Sequence, residues 1–168
     1  MDKKLVELGA VLGLVLLALA YLAIRSWRGK AIAHAKFLPE LPTAFASAGD
    51  QLAAAASYVV TTFGGSPLER VMAHGLGNRG KAALYLSENG VVIERQGENA
   101  LHLANASIVS VETATATLDR VVERDGLVVI TWSTDTGKFD TYLRILNTEF
   151  REALISAFAK APKAQKVG

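Results

Sequence analysis

The chain has 168 residues, a formal net charge of +2 at pH 7 and no cysteine. Without cysteine it can form neither disulfides nor thiolate metal sites, and so small a charge does not indicate a nucleic-acid partner. Its length suits one folded domain of roughly 100 residues beside an N-terminal apolar segment, and leaves no room for a second domain.

The first element is that apolar segment, residues 5–24, in which Glu7 is the single charged residue. Twenty helical residues at about 1.5 Å each span the roughly 30 Å hydrocarbon core of a bilayer. Tyr21 and Trp27 fall where aromatic residues favour the membrane interface. The sequence therefore predicts a transmembrane helix behind a short tail, residues 1–4.

Basic residues on both sides of this segment predict its orientation. Two precede it, Lys3 and Lys4, and four follow it: Arg25, Arg28, Lys30 and Lys36. The positive-inside rule places the N-terminus outside and the rest of the chain in the cytoplasm. The alternative is a cleaved secretion signal, because Ala18-Leu19-Ala20 fits the pattern of a signal-peptide cleavage site. Against this alternative, the apolar run continues past Ala20 and meets a basic flank, which is typical of a segment that stays in the membrane.

Residues 25–57 are predicted to form a juxtamembrane connector. Pro39 and Pro42 favour an extended segment over a helix. The alanine run at 51–56 has high helix propensity, which predicts a short helix at most in this connector.

From residue 58 the pattern changes to short β-branched and aromatic runs separated by turn residues. Asn89-Gly90, Asp125-Gly126 and Asp135-Thr136-Gly137 are hairpin signals between such runs. The predicted strands are 58–63, 82–86, 91–95, 101–103, 108–115, 120–124, 127–133 and 141–145. About seven antiparallel strands at this spacing predict a barrel or a sandwich, with Trp132 in its core.

The predicted domain, residues 58–161, ends in an amphipathic helix. Asn147 is a suitable N-cap residue, and Pro162 stops the helix before a tail at 162–168. One apolar stripe is formed by Phe150, Ala153, Leu154, Ala157 and Phe158. This helix would cap the sheet.

Seven strands followed by one helix is the element order of a pleckstrin-homology-like (PH-like) barrel. The segments YVVTTFGG at 58–65, LERV at 68–71, HGLGNR at 74–79 and GVVIER at 90–95 resemble those of small actinobacterial membrane proteins with PH-like domains. The resemblance implies a transmembrane α-helix followed by a mainly-β PH-like barrel, capped by a C-terminal α-helix, at the cytoplasmic membrane. Members are often encoded among pyrimidine-biosynthesis genes and have no assigned activity, so no catalytic residue carries over.

The longest loop of the predicted domain, residues 64–81, is the candidate binding surface. It carries Arg70, His74, Arg79 and Lys81. Long loops on a rigid barrel commonly bind partners, and basic residues facing an anionic leaflet gain about 1 kcal/mol each. The loop is predicted to contact a protein partner or anionic lipid, with an ordinary solvated loop as the alternative.

No motif in the sequence indicates catalysis. The run GLGNRG at 75–80 has the glycine spacing of a dinucleotide fingerprint but lacks a following helix pattern, and a flexible loop is the simpler interpretation. His34, His74 and His102 do not have metal-ligand spacing. We therefore expect neither a cofactor nor a metal, and no enzymatic activity.

The resulting hypothesis is a single-pass membrane adaptor that sits in the lipid bilayer and whose cytoplasmic domain binds a protein. By the family association, that protein could be a pyrimidine-biosynthesis enzyme. The alternative is an anionic-lipid-sensing or transport-associated accessory subunit. Gly9 and Gly13 form a GxxxG pattern that lets two helices approach closely, which makes this face a candidate for contact between two copies of the chain in a homo-oligomer.

Overall fold

A long apolar helix precedes a curled antiparallel sheet in the computed structural model, which describes residues 3–38, 40–44, 52–114, 116–117, 120–121 and 127–159. The helix, α1, runs over Lys3–Ala35 and is about 50 Å long. Its apolar side chains from Leu8 to Ile24 are exposed, and it is the one helix in the described part of the chain long and apolar enough to cross a bilayer.

The sheet is built from antiparallel pairs and ends in a helix, which confirms the predicted fold class. Its main strands lie side by side in the order β5-β4-β3-β1-β10-β9-β6, and β2 pairs with β1. The bounds are β1 Leu52–Phe63, β2 Ser66–Arg70, β3 Gly80–Ser87, β4 Gly90–Arg95, β5 Leu101–Ala104, β6 Ile108–Ala114, β9 Leu127–Thr134, β10 Gly137–Ile145 and α2 Thr148–Ala159. Two short strands, β7 Ala116–Thr117 and β8 Arg120–Val121, pair with each other.

Two of the predicted hairpin turns are confirmed. Ser87 pairs with Gly90 across the β3–β4 turn, and Thr134 pairs with Gly137 across the β9–β10 turn. Gly90 has φ +146°, and a Cβ there would lie 2.1 Å from the carbonyl oxygen of Leu103, so only glycine fits. The third turn, Asp125-Gly126, lies outside the described residues, as do residues 115 and 122–124 of the predicted strands.

The core lies inside the curled sheet, where alternate residues of each strand meet. Its largest fully buried side chains are Trp132, Tyr58, Phe139 and Phe150. The indole of Trp132 stacks at 4.7 Å on the ring of Phe139. The prediction that Trp132 is a core residue is therefore confirmed.

Helix α2 covers one end of this core. The backbone N–H of Phe150 donates to Oδ1 of Asn147 at 2.8 Å, which confirms the predicted N-cap. Phe150 and Leu154 are buried and Phe158 is half-buried, whereas Ala157 is exposed, so Ala157 does not belong to the buried stripe. Residues 160–168, with Pro162, lie outside the described part.

The prediction of a short helix in the alanine run is wrong, because this run is the first half of β1. Residues Leu52 to Ala56 pair in register with Leu86 to Ala82 of β3. The side chains of Ala54 and Ala56 pack against the core, and this burial together with the ladder of hydrogen bonds outweighs a helix preference of a few tenths of a kcal/mol per residue. The predicted domain start at Tyr58 falls inside β1, and α1 extends eleven residues beyond the predicted span.

Candidate functional site

The predicted loop 64–81 is largely folded against the barrel. After Gly64 and Gly65 the chain forms β2 and then a 3-10 turn, Ala73–Gly75. The backbone N–H of Val71 donates to the carbonyl of Thr61, and the N–H of Thr61 donates to the carbonyl of Leu76, both at 2.9 Å. Val71, Ala73 and Leu76 are buried in the core. We call residues 71–76 the joint loop.

A chain of hydrogen bonds reaches the joint loop from the core, and its direction is fixed. The hydroxyl of Tyr58 donates to the carbonyl of Leu76 at 2.8 Å, so at the 2.6 Å contact with Tyr58 the hydroxyl of Thr61 must donate. Thr141 then donates to Thr61 at 2.8 Å and accepts from the indole N–H of Trp132 at 2.9 Å. Burial raises the pKa of Tyr58 to about 12, which keeps this donor protonated at neutral pH.

Arg95 holds the same loop through its guanidinium, although it is only 6% exposed. Its Nη1 donates to the carbonyl of Gly75 at 3.0 Å, and its Nη2 donates to the carbonyl of His74 at 3.1 Å. Nε and Nη2 also donate to the carbonyl of Asn99, and the guanidinium lies 5.2 Å from the ring centre of Tyr58. A buried cation is thus satisfied by backbone carbonyls and an aromatic face.

The end of α1 binds the other side of the joint loop. The backbone N–H of Met72 donates to Nδ1 of His34 at 3.0 Å, and Nε2 of His74 lies 2.8 Å from the carbonyl of Leu38, to which it must donate. These bonds assign opposite proton positions to the two rings: Nδ1 of His34 carries none, and Nε2 of His74 carries one.

Packing reinforces these bonds. Leu38 is only 1% exposed and belongs to the barrel core. The rings of His34 and Phe37 both meet Phe63 edge-on, at 5.2 and 5.7 Å, and the hydroxyl of Thr136 donates to the carbonyl of Phe37. The helix therefore ends against the domain, and Leu38, three residues beyond it, enters the core. We call this set of contacts the helix–barrel joint.

Comparison with known protein families agrees with this architecture. The family model described as "Bacterial PH domain-like" matches residues 38–159. The chain belongs to this bacterial PH domain-like family. The match begins at Leu38, whose side chain enters the core, and ends at the last residue of α2. Among curated proteins no match is found.

Within the PH-like domain, the predicted loop residues have different surroundings. His74 lies in the helix–barrel joint, with a left-handed backbone at φ +53°. Arg70 is half-buried on β2 and pairs in register with Thr62, whereas Arg79 and Lys81 are exposed. Binding of a partner or lipid by these four residues remains a prediction, and His74 already makes an internal contact.

The predicted dimer face lies on α1, away from the PH-like domain. Gly9 is exposed and Gly13 half-exposed, and a Cβ added at either would meet no atom within 4 Å. Association through this face remains a prediction.

Sequence reasoning missed two residues of the helix–barrel joint, His34 and Leu38, and the two that hold the joint loop from inside the barrel, Tyr58 and Arg95. One signal was present for Arg95. Val91, Ile93 and Arg95 alternate along β4, so an arginine occupies a core-facing position of an otherwise apolar face. Such a residue needs several acceptors nearby, and the joint loop supplies two of them.

The glycine run at 75–80 lacks the context of a dinucleotide site, because Gly75 closes a 3-10 turn and Gly80 begins β3. The interpretation as a flexible loop is also incomplete, since Gly75 and Leu76 accept hydrogen bonds from Arg95 and Tyr58. Among the described residues no group of three or more His, Asp or Glu could hold a metal ion. The joint is an arrangement suited to fixing a helix to a domain.

Proposed function

We propose that this chain is a single-pass membrane adaptor, in which α1 crosses the bilayer and the PH-like domain binds a protein partner in the cytoplasm. Domains of this family are typically non-catalytic, and α1 has the length and composition of an anchor. The observation that carries the proposal is the helix–barrel joint, because it fastens the apolar helix to the domain by side-chain and backbone contacts.

The joint sets how far the domain stands from the bilayer. If residues 5–24 span the hydrocarbon, eleven more helical residues lead to Ala35, a rise of roughly 16 Å. The first part of this rise carries Arg25, Arg28 and Lys30, which suit the headgroup region. A rigid support of this length would hold the domain beside the headgroups, where confinement raises the local concentration of a binding protein and its ligand.

We place the partner surface on the exposed part of residues 64–81. Leu68 on β2 is 77% exposed, and the basic residues Arg70, Arg79 and Lys81 belong to the same segment. Leu68 and Arg70 are two positions apart on β2 and so lie on the same face of this strand. An apolar side chain next to a cation fits a partner that offers an apolar pocket beside an acidic group. A pyrimidine-biosynthesis enzyme is the partner that the family resemblance suggests looking for first.

The test is quantitative co-purification of the tagged full-length chain from native membranes. Leu68→Ser should reduce recovery of the partner at least tenfold. Leu146→Ser is the matched control, because Leu146 is also 77% exposed but lies between β10 and α2, and it should leave recovery unchanged. Equal recovery with both variants, or no protein enriched over an untagged strain, would overturn the proposal.

A further inference from the structure

A groove runs along α1 across the C-terminal end of the apolar segment. Its volume is about 430 Å³ and it is lined by Tyr21, Ile24, Arg25, Arg28, Gly29 and Ile32. Positions 21, 25, 28 and 32 are spaced by four, three and four, so their side chains follow one face of the helix. A second groove of about 420 Å³ shares Ile24 and Arg28, so Arg28 has open space on both sides.

The middle of this groove is cationic and lacks a compensating charge on the helix. Arg25 and Arg28 lie less than one turn apart, and no Asp or Glu occurs between Glu7 and Glu40. Two like charges at this spacing repel each other, which a bound anion would relieve. Guanidinium groups bind phosphate oxygens in a bidentate manner, which lysine cannot do.

The other walls of the groove are apolar. Tyr21, Ile24 and Ile32 are each more than half exposed, and Gly29 leaves the floor open because it has no side chain. A site with two guanidinium groups at its centre and aliphatic and aromatic side chains on either side matches an amphipathic anion. A small inorganic anion would leave these walls uncovered.

The groove also faces away from the PH-like domain. His34, which contacts the domain, is nine positions from Arg25, and nine residues make two and a half turns of helix. The two side chains therefore point to opposite sides of α1. Because Tyr21 and Ile24 lie in the predicted span and Arg28 beyond it, the groove would face lipid at the hydrocarbon–headgroup boundary.

We propose that this groove binds one anionic phospholipid, with its phosphate between Arg25 and Arg28 and its upper acyl chain along Tyr21 and Ile24. The inference rests on the proposed membrane anchor and adds a lipid class to it. Each arginine should contribute about fivefold to binding, the factor that corresponds to roughly 1 kcal/mol for a basic residue beside an anionic surface.

The test uses the full-length chain in mild detergent, titrated with phosphatidylglycerol or with phosphatidylcholine of the same acyl chains. Native mass spectrometry counts the bound lipids. We expect one phosphatidylglycerol to bind in preference to phosphatidylcholine, Arg28→Gln to weaken it about fivefold, and Arg25→Gln with Arg28→Gln to weaken it about 25-fold. Lys30→Gln is the control, because it removes the same charge only about 3 Å farther along the helix but some 200° around it from Arg28, and it should change binding less than twofold.

Three results would overturn the inference: no preference for phosphatidylglycerol, an equal loss in Lys30→Gln and Arg28→Gln, or displacement of the lipid by millimolar inorganic phosphate. Because the side chains of Arg25, Arg28 and Lys30 are exposed, the unfolding temperature should be the same in every variant and in the wild-type chain. Membrane fractionation separates this inference from the proposed anchor. A chain absent from membranes would refute the anchor itself, whereas a chain that fractionates with membranes without lipid preference would refute the groove alone.

Discussion

The backbone N–H of Met72 donates a hydrogen bond to Nδ1 of His34 across 3.0 Å, although the two residues are 38 positions apart in the chain. This contact ties the last turn of an apolar helix to a loop that Arg95 and Tyr58 hold from inside the barrel. Movement of the helix end is therefore coupled to the core of the domain through one short segment. A flexible tether would not provide such coupling.

The hydrogen bond between His34 and Met72 can be tested by two substitutions at one site. His34→Ala removes the acceptor and should lower the free energy of unfolding by about 1–3 kcal/mol, because a partly buried N–H loses its partner. His34→Asn offers an amide oxygen near the position of Nδ1 and should restore part of this loss. Hydrogen exchange of the Met72 amide reports the bond directly. Equal protection of this amide in the wild-type chain and His34→Ala would show that the contact contributes nothing.

Most of the strands and α2 could be predicted because the local sequence pattern of each favours a single structure, whereas β2 and the first half of β1 were missed. Alternating β-branched residues and Asn89-Gly90 specify a hairpin locally, and Asn147 caps a helix through its nearest neighbours. The conformation of the alanine run could not be predicted, because the local preference of alanine for a helix opposes the strand that it forms. Its pairing with β3, and the burial of Ala54 and Ala56 that accompanies it, depend on the whole sheet.

The basic residues of the loop 64–81 were visible in the sequence, but the fold of that loop was not. Its structure depends on contacts with residues distant in the chain: Tyr58, Arg95 and Leu38. No local pattern relates the carbonyl of Leu38 to the ring of His74. The helix–barrel joint depends on the fold of the whole domain, so no local sequence pattern predicts it.

Leu38 should act as a core residue even though it follows a long apolar helix. Leu38→Ala should lower the free energy of unfolding by about 2–5 kcal/mol, since truncation leaves a cavity in a packed core. Leu146→Ala removes the same atoms from an exposed site and should change it by less than about 0.5 kcal/mol. Thermal unfolding of the full chain in detergent measures both. Equal shifts would mean that Leu38 does not pack in the core.

Arg95 should be needed for the joint loop. Arg95→Ala removes the hydrogen bonds that the backbone carbonyls of His74, Gly75 and Asn99 accept from the guanidinium. We expect the free energy of unfolding to fall by about 2–4 kcal/mol. Arg95→Lys should recover little, because one ammonium group cannot reproduce the fork of a guanidinium. The exposed Arg144 provides the control, and Arg144→Ala should have almost no effect. Chemical denaturation distinguishes these outcomes, and full stability of Arg95→Lys would refute the role of the fork.

Tyr58 makes the stability of the domain sensitive to alkali. Burial raises its pKa to about 12 in the folded chain, above the ordinary value near 10 that applies when the chain is unfolded. Between these values the unfolded chain loses the proton first, so stability is intact below pH 10 and falls by about 3 kcal/mol as the pH rises to 12. Tyr58→Phe should lack this decrease. Urea unfolding of the wild-type chain and of Tyr58→Phe at pH 9 and 11.5 measures this loss. Groups other than Tyr58 titrate in both proteins, so the difference between them reports Tyr58 alone. An identical decrease in the free energy of unfolding of both proteins would show that Tyr58 is not the cause.

The orientation of the domain can be tested with one introduced cysteine, because the chain has none. Gly137 begins β10, and a Cβ there would meet only the ring of Phe139, at 3.8 Å, so Gly137→Cys should fold normally. The four basic residues after the predicted span favour a cytoplasmic domain, so a membrane-impermeant thiol reagent should label this cysteine only after lysis. Asp2→Cys should be labelled in intact cells and shows that the reagent reaches the outer face. Labelling of Gly137→Cys in intact cells would reverse the orientation, and the partner would then have to be sought outside the cytoplasm.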